Sequence, residues 1–288
     1  MVKGLDLRAM KALFKKEYTD NIRNRWLAII TFIFLLLAVV ISYFNSSASR
    51  GVGFQELDDT VVALVSLISL LVPIVSIMLG HGSIIKEREQ GSLDAMMSYP
   101  INRVEIFLGK YAALAAVLFT TVFVGFGGAG VIIAVGSGAP FSFPNYIMFL
   151  LSTLLMGLIF LGLSMLISVL VRRRSVAVGA GVLVWFFFCM IISLLITGIY
   201  AATSGSNIHS VFSGEIGPSA WLWKAMFLSP IDTYQMNVVL TYGVKNVFGI
   251  SVPILPGYVS FWITLAGIVA WASVPLAAAV ILFTRKDL

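Results

Sequence analysis

Six long apolar runs constrain this 288-residue chain more than any other feature of its sequence. Each is long enough to cross about 30 Å of hydrocarbon at about 1.5 Å per helical residue. None of them contains Asp, Glu, Lys, Arg or His. They cover residues 26–44, 61–79, 111–135, 146–171, 176–200 and 258–283. Because backbone groups in lipid must be satisfied within their own segment, the runs predict an all-α integral membrane protein with six transmembrane helices.

The composition supports this class and excludes others. The chain is 59% hydrophobic and 11% charged, whereas a soluble domain is about 45–50% apolar and about 25% charged. Its single cysteine, Cys189, lies in an apolar run, which rules out a disulfide framework or a CxxC redox pair. The net charge of +6 could indicate a nucleic-acid partner, but its distribution along the chain indicates membrane topology instead.

The basic residues fall in alternate loops. Of the 19 Lys and Arg residues, only Arg50, Lys224 and Lys245 lie in the loops at 45–60, 136–145 and 201–257. All the others lie in the termini, the 81–110 loop and the turn Arg172–Arg174. The positive-inside rule therefore predicts a multi-pass protein of the cell (cytoplasmic) membrane with both termini in the cytoplasm. No nucleic-acid partner is expected.

Residues 1–25 precede the first run and predict a cytoplasmic amphipathic helix over residues 5–22. Such a helix can lie in the headgroup plane as a membrane anchor, or it can act as an elbow helix that helps to hold a cytoplasmic partner. The apolar face comprises Leu7, Met10, Phe14 and Tyr18, and the basic face comprises Arg8, Lys11, Lys15 and Lys16.

The cytoplasmic segment 81–110 has more local structure than a connector needs. Gly91 is suited to ending a helix, and Ser92 is suited to capping a short helix that Pro100 stops. Asn102 and Glu105 then have the spacing of a capping box for the next helix. A short charged helix at the membrane surface suits docking to another protein, and the alternative is a well-capped solvated loop.

The outer segment 201–257 is too long for a simple connection. Two short apolar stretches within it, at about 220–229 and 234–248, are below spanning length and predict re-entrant or interfacial helices before the last span. Their aromatic residues suit the membrane interface. We interpret the segment as an outer gate, a docking surface for an extracytoplasmic partner, or an ordinary folded loop. The candidate docking residues are Trp221, Trp223, Pro230 and Asp232.

We predict no catalytic site and no metal site in this chain. It has no P-loop sequence, no H-E-x-x-H and no G-x-S-x-G. Its two histidines, His81 and His209, are predicted on opposite sides of the membrane. The charge-free runs also argue against an intramembrane protease and against an ion-coupled secondary transporter.

The segment from Glu89 to Asp94, followed by Tyr99 to Lys110, resembles the coupling segment of ABC type-2 transporter permeases. There an acidic residue, a Gly-Ser/Thr-Leu turn, a Pro, an Arg and a terminal Gly-Lys recur between the second and third spans. The block from Asp20 to Leu27, Gly53-Phe54 and the block from Lys224 to Asp232 are also similar to members of this family. The resemblance extends over nearly the whole chain.

The resemblance implies a permease homodimer that pairs with two copies of a separate ATP-binding subunit, which would bind ATP and Mg. The short coupling helix near Ser92–Ser98 would sit in a groove of that ATPase. An extracytoplasmic β-helical protein is a further implied partner. The implied ATPase-coupling residues are Glu87, Arg88, Glu89, Gly91, Ser92, Leu93, Asp94, Met96, Met97, Pro100 and Arg103.

Within the family, the chain resembles permeases that serve the maturation of nitrous oxide reductase. That likeness implies copper, or a sulfur species needed to build a copper cluster, as the cargo. An exporter of a drug, lipid or peptide is the alternative within transport. A non-transporting membrane scaffold is the alternative from another class.

Overall fold

A computed structural model of the chain describes residues 7–49, 57–91, 101–138, 142–204, 220–243, 246–247, 250–251 and 256–285. Six helices in these ranges are long and apolar enough to cross a membrane. They confirm the predicted all-α membrane fold, and we number them spans 1 to 6. The spans are Arg25–Phe44, Ala63–Glu89, Arg103–Ser137, Phe143–Leu170, Arg174–Tyr200 and Phe261–Arg285.

The elements follow one another as a series of helices with a single small hairpin. Span 2 consists of two helices joined by a turn at 81–84, and spans 3 and 5 each contain a five-residue π-helix. The α-helices are Leu7–Ile22, Arg25–Ser49, Leu57–Gly80, Ile85–Glu89, Arg103–Val122, Gly128–Ser137, Phe143–Leu170, Arg174–Phe186, Ile192–Ser204, Ala220–Met226, Pro230–Tyr242 and Phe261–Arg285. The π-helices are Phe123–Gly127 and Phe187–Ile191, and the antiparallel strands are Asn246–Val247 and Ile250–Ser251.

Span 4 is the central helix of the bundle. It packs against spans 2, 3 and 6 and against the helix Pro230–Tyr242, and side chains such as Met156 and Phe160 are fully buried. Gly157 permits a close approach, because a Cβ there would lie 2.6 Å from Leu118 of span 3 and 3.1 Å from Val72 of span 2. Close packing through small residues is the usual way in which helices associate in lipid.

Span 5 lies at the periphery and is the least buried of the six spans. Large apolar side chains along it are exposed, including Val182, Leu183 and Leu194. Water would not tolerate such a continuous apolar surface, and a lipid or protein environment does. The exposed face of span 5 is therefore consistent with an intramembrane position.

The π-helix in span 3 has a specific hydrogen-bond partner. A π-turn frees backbone carbonyls from the regular helical ladder, and in lipid each carbonyl needs another donor. The hydroxyl of Tyr146 in span 4 donates to the carbonyl oxygen of Phe126 at 2.6 Å. The side chain of Tyr146 thus compensates for the irregular backbone and joins span 3 to span 4.

The helix Pro230–Tyr242, which we call the outer helix, begins four residues before the predicted stretch at 234. Its N-terminus is set by Ser229, whose hydroxyl oxygen accepts a hydrogen bond from the backbone N–H of Asp232 at 3.1 Å. Pro230 occupies the first helical turn, where its missing N–H has no cost. The Ser-Pro-x-Asp sequence contains all the residues of this helix start. A boundary predicted from hydrophobicity alone does not take them into account.

Candidate functional site

One end of the bundle gathers most of the described cations, and we call it the basic end. It comprises the N-terminal helix Leu7–Ile22, the segment 81–91, the start of span 3 and the turn Arg172–Arg174. Five predicted ATPase-coupling residues fall in this region. The other six, Ser92, Leu93, Asp94, Met96, Met97 and Pro100, lie outside the described residues, as does the predicted short helix at 92–98.

The basic end is organised around a buried lysine. Lys110, in the first half of span 3, is only 1% exposed. Its ammonium nitrogen donates to Oε1 of Glu17 at 2.5 Å and to Oε1 of Glu87 at 2.6 Å. Hydrogen bonds between an ammonium group and a carboxylate belong to the strong, charge-assisted class. We call these three residues the charged triad. It joins the N-terminal helix, the end of span 2 and the start of span 3.

Gly109 makes the triad accessible to the N-terminal helix. A Cβ at Gly109 would lie 3.2 Å from Cδ2 of Leu13 and 3.4 Å from the carbonyl oxygen of Met10. The glycine therefore lets the N-terminal helix lie directly against span 3, which brings Glu17 within reach of Lys110. Farther along the same contact, the hydroxyls of Tyr18 and Thr120 lie 3.1 Å apart. This geometry gives a structural reason for the Gly-Lys pair that ends the segment resembling the coupling segment.

The N-terminal helix has the predicted two faces. Met10, Phe14 and Tyr18 are partly buried, whereas the lysines at positions 11, 15 and 16 are exposed. Its partly buried face packs mainly on span 3. Its position relative to a bilayer stays a prediction.

The short helix Ile85–Glu89 is tied to the far side of the basic end. The backbone N–H groups of Ile84 and Ile85 donate to the hydroxyl of Ser168 in span 4, at 3.2 and 3.3 Å. A nitrogen of Arg88 donates to the carbonyl oxygen of Val171 at 3.1 Å. The carboxylate of Glu89 accepts from the backbone N–H of residue 174 at 3.2 Å. Movement of this helix would therefore be transmitted to spans 4 and 5 through these hydrogen bonds.

The described coupling residues differ in how accessible they are. Glu87 is buried in the charged triad, and Arg88 and Arg103 are half-buried. Glu89 and Gly91 are exposed, and Gly91 has a positive φ of 68°. That φ is the left-handed conformation that ends a helix at little cost only for glycine. Glu89 and Gly91 are therefore the described members of the set that an approaching partner could contact directly.

The next helix starts as the sequence predicts. The side chain of Asn102 and the side chain of Glu105 form a reciprocal capping box. The backbone N–H of Asn102 donates to the Glu105 carboxylate at 3.0 Å. Glu105 is nearly fully buried, so this box fixes where span 3 begins.

A cavity of about 550 Å³ opens between the N-terminal helix, the end of span 2 and the start of span 3. The charged triad forms part of its wall. Volumes of this size are typical of small-molecule sites. Its lining mixes charged side chains with apolar residues from the ends of the spans.

The four predicted outer docking residues occupy different environments. Trp221 is 40% exposed and packs its ring near that of Tyr200. Trp223 and Pro230 are buried. Asp232 is partly buried, and both of its carboxylate oxygens accept from the hydroxyl of Ser193 in span 5, at 3.0 and 2.9 Å. Of the four, Trp221 is the residue best placed for direct contact with a partner.

The outer helix carries a polar network that analysis of the six apolar runs alone did not anticipate. The amide of Asn237 bonds Ser152 of span 4 at 2.7 Å and Thr264 of span 6 at 3.0 Å. The hydroxyls of Tyr234 and Thr153 lie 2.9 Å apart, both fully buried. The recurrence of polar residues at 234, 237 and 241 marks this face in the sequence, because three- and four-residue spacing places them on one side of a helix.

Asp232 is the one acidic residue in the outer helix. Burial raises the pKa of Asp232 above its ordinary value, and hydrogen bonds from Ser193 and Ser229 oppose that rise. In the described part of the chain, its carboxylate makes no ion pair. Its place in the first turn of the outer helix lets the helix dipole favour the negative charge.

Comparisons with known proteins agree with this architecture. Residues 11–288 match the family described as ABC-2 family transporter protein. A protein of Stutzerimonas stutzeri named "Probable ABC transporter permease protein NosY" is 31% identical over 281 residues, which cover 94% of this chain and 96% of the relative. A protein of the same name from Pseudomonas aeruginosa is also 31% identical, over 95% of this chain and 97% of the relative.

The family match includes both the basic end from residue 11 onwards and the outer helix, and the identity to the two relatives extends over almost the full length of each protein. With six membrane-spanning helices in the described residues and a family match that reaches the C-terminal residue, the chain belongs to the ABC-2 family of transporter proteins.

Proposed function

We propose that this chain is a NosY-like permease subunit that forms half of the membrane pore of an ABC transporter, as a homodimer. Hydrolysis of ATP would take place in a separate ATP-binding subunit, because the permease carries no P-loop sequence. The observation that carries the proposal is the 31% identity to NosY permeases over almost the full length of both proteins.

The basic end supports an ATPase-docking role for segment 81–110. The segment is anchored to span 3 by the charged triad and to the turn after span 4 by Glu89 and Arg88. A push on this segment would therefore reach spans 3, 4 and 5 through direct contacts. This is the mechanical requirement for passing closure of an ATPase dimer to a pore, and it favours a cytoplasmic position for the basic end, in line with the positive-inside rule.

The resemblance to permeases of nitrous oxide reductase maturation extends the proposal to cargo. Copper, or a sulfur species for a copper cluster, would be carried or delivered with the help of an extracytoplasmic β-helical partner. Trp221 is the exposed residue that we assign to outer docking, with Trp223, Pro230 and Asp232 supporting the surface from within. An exporter of a drug, lipid or peptide would share the basic end and lack the outer partner.

Affinity purification of the chain from its native membrane, with mass spectrometry of the bound proteins, tests the assignment. Recovery of an ATP-binding subunit together with a secreted β-helical protein is the expected result. An ATP-binding subunit alone would favour the general exporter. Absence of any ATP-binding subunit would contradict the transporter proposal and favour the scaffold.

Charge reversal at the exposed end of the segment tests the docking surface. Glu89→Lys should reduce the amount of ATP-binding subunit that co-purifies, while the chain still inserts into the membrane. Lys224→Glu, an equally large charge change at an exposed site beside the outer helix, is the control and should retain the subunit. Equal recovery with both variants would argue against docking at Glu89.

A further inference from the structure

The cavity at the basic end is lined by more cationic than acidic side chains, and several of these cations take part in no ion pair with the described residues. Four cationic and three acidic side chains line it. Lys110 is occupied by Glu17 and Glu87 within the charged triad. Apart from the triad, the ionised groups in the lining are Lys16, Lys86, Arg174 and one carboxylate, that of Asp20.

The three remaining cations are available to a ligand. Lys16, Lys86 and Arg174 are exposed, and within the described part of the chain their side chains make no ion pair. They come from the N-terminal helix, the end of span 2 and the start of span 5, so they approach the cavity from separate directions. The side chain of Arg174 is held near the cavity, since its Nε lies 3.9 Å from where a Cβ on Gly82 would be. A group that accepts hydrogen bonds and carries negative charge would satisfy them together.

A buried polar atom in the same wall has no partner. The hydroxyl oxygen of Ser83 is inaccessible to solvent and finds no hydrogen-bond partner among the described residues. Buried hydroxyls are nearly always hydrogen-bonded. Ser83 adjoins Gly82, which Arg174 approaches, so the unpaired hydroxyl and the free guanidinium belong to the same part of the cavity.

The lining of the cavity also includes apolar residues of the membrane-spanning helices. Trp26 and Leu27 start span 1, Met78 and Leu79 end the first helix of span 2, and Leu114 lies in span 3. Trp26 is partly buried at the point where the apolar run of span 1 begins, which is where tryptophan is favoured in membrane proteins. Basic side chains and apolar residues of the spans therefore line the same cavity.

We propose that this cavity binds the phosphate-bearing headgroup of an anionic phospholipid. Lys86, Arg174 and Lys16 would hold the phosphate, and the start of the acyl chains would lie against Trp26 and Met78. Basic pockets between membrane helices are a recognised way to hold anionic headgroups. A free phosphate or a nucleotide also carries negative charge, but it would leave the apolar residues of the lining uncovered. The lining therefore favours a lipid.

The site lies where a headgroup would stabilise the contacts of the basic end. A bound phosphate would contact the N-terminal helix, segment 81–91 and span 5 at once. These elements are otherwise joined by the charged triad and by the hydrogen bond that the Glu89 carboxylate accepts from the backbone of Arg174. The proposal goes beyond the permease assignment, and neither depends on the other.

Native mass spectrometry of the full-length permease in detergent tests the proposal directly. The protein is incubated with phosphatidylglycerol, phosphatidylcholine or inorganic phosphate, and bound molecules are counted as detergent-solubilised lipid is titrated. We expect one phosphatidylglycerol per chain to be retained at least tenfold more tightly than phosphatidylcholine. The variant Lys86→Gln with Arg174→Gln should bind it about thirtyfold more weakly, the loss expected for two cations at a membrane surface.

The matched control is Arg173→Gln, which removes an exposed arginine from the same turn without touching the cavity lining. It should bind phosphatidylglycerol as the unmodified protein does. Size-exclusion profiles and helical content of all variants establish that they fold. Equal retention of the two lipids, or unchanged binding by the double variant, would overturn the proposal. Competition by inorganic phosphate at equal concentration would assign the cavity to a free anion instead. No ATP-binding subunit enters this measurement, so its failure would leave the permease assignment intact.

Discussion

Replacing Lys110 with methionine should destabilise the protein strongly, and the magnitude follows from the charged triad. The two carboxylate oxygens flank the ammonium nitrogen at 2.5 and 2.6 Å, so they lie no more than about 5 Å apart. Two unit charges at that separation repel by about 3 kcal/mol at an effective dielectric constant of about 20. Removing one partner from a buried ion pair costs about 3–5 kcal/mol. The side chains of Glu17 and Glu87 retain 17% and 11% exposure, so water relieves part of the penalty, and we expect about 3 kcal/mol.

Unfolding of the purified protein in mixed micelles, titrated with dodecyl sulfate and followed by tryptophan fluorescence, measures this loss. The decisive comparison is the triple variant with Glu17→Gln and Glu87→Gln added to Lys110→Met. Because a buried charge network replaced as a whole by neutral groups of similar size is often neutral in stability, the triple variant should recover to within about 1 kcal/mol of the original. A single variant as stable as the original protein, or a triple variant as unstable as the single one, would refute the view that the three charges act as one unit.

Three further perturbations test other contacts. Gly109→Ala should destabilise the protein by about 1–3 kcal/mol in the same titration, because the new Cβ would press on Leu13. The control is Gly179→Ala, whose Cβ would meet nothing within 4 Å and which should be neutral or mildly stabilising. Equal effects of the two variants would contradict the close packing of the N-terminal helix. Asn237→Leu should cost about 1–3 kcal/mol, since it removes the acceptor of the buried Ser152 hydroxyl, and an unchanged unfolding midpoint would count against the polar network. Because the folded-state pKa of Asp232 is raised, Asp232→Asn should be more stable than the original protein at pH 7. This advantage should shrink as the pH falls through the folded-state pKa towards the ordinary pKa of 3.8. An advantage independent of pH would show that ionisation of the carboxylate is not the cause.

Local signals in the sequence predicted the local features of this structure. The six apolar runs correspond to the six spans, and the Asn102 to Glu105 spacing predicted the capping box. The amphipathic pattern before span 1 predicted a helix with the observed faces. Each of these rests on residues that lie within a few positions of one another.

Features that depend on distant residues could not be predicted in the same way. In the sequence, Lys110 is an ordinary cation at the start of an apolar run. Its burial depends on Glu17, 93 positions earlier, which packs beside it in the structure. The outer helix likewise takes its polar partners from spans 2, 4, 5 and 6. Charge counted only within the apolar runs therefore misses Asp232, which enters the bundle on a segment too short to span it.

The charged triad also sets an order of events during synthesis. At about 5–20 residues per second, the 93 residues between Glu17 and Lys110 take about 5–20 s to emerge. Throughout that interval the N-terminal helix exists without the span on which it will pack. Glu87 emerges shortly before Lys110, so the lysine can enter the interface already neutralised. The N-terminal helix, the first part of the basic end to leave the ribosome, therefore has to wait for span 3 before it reaches its packed position.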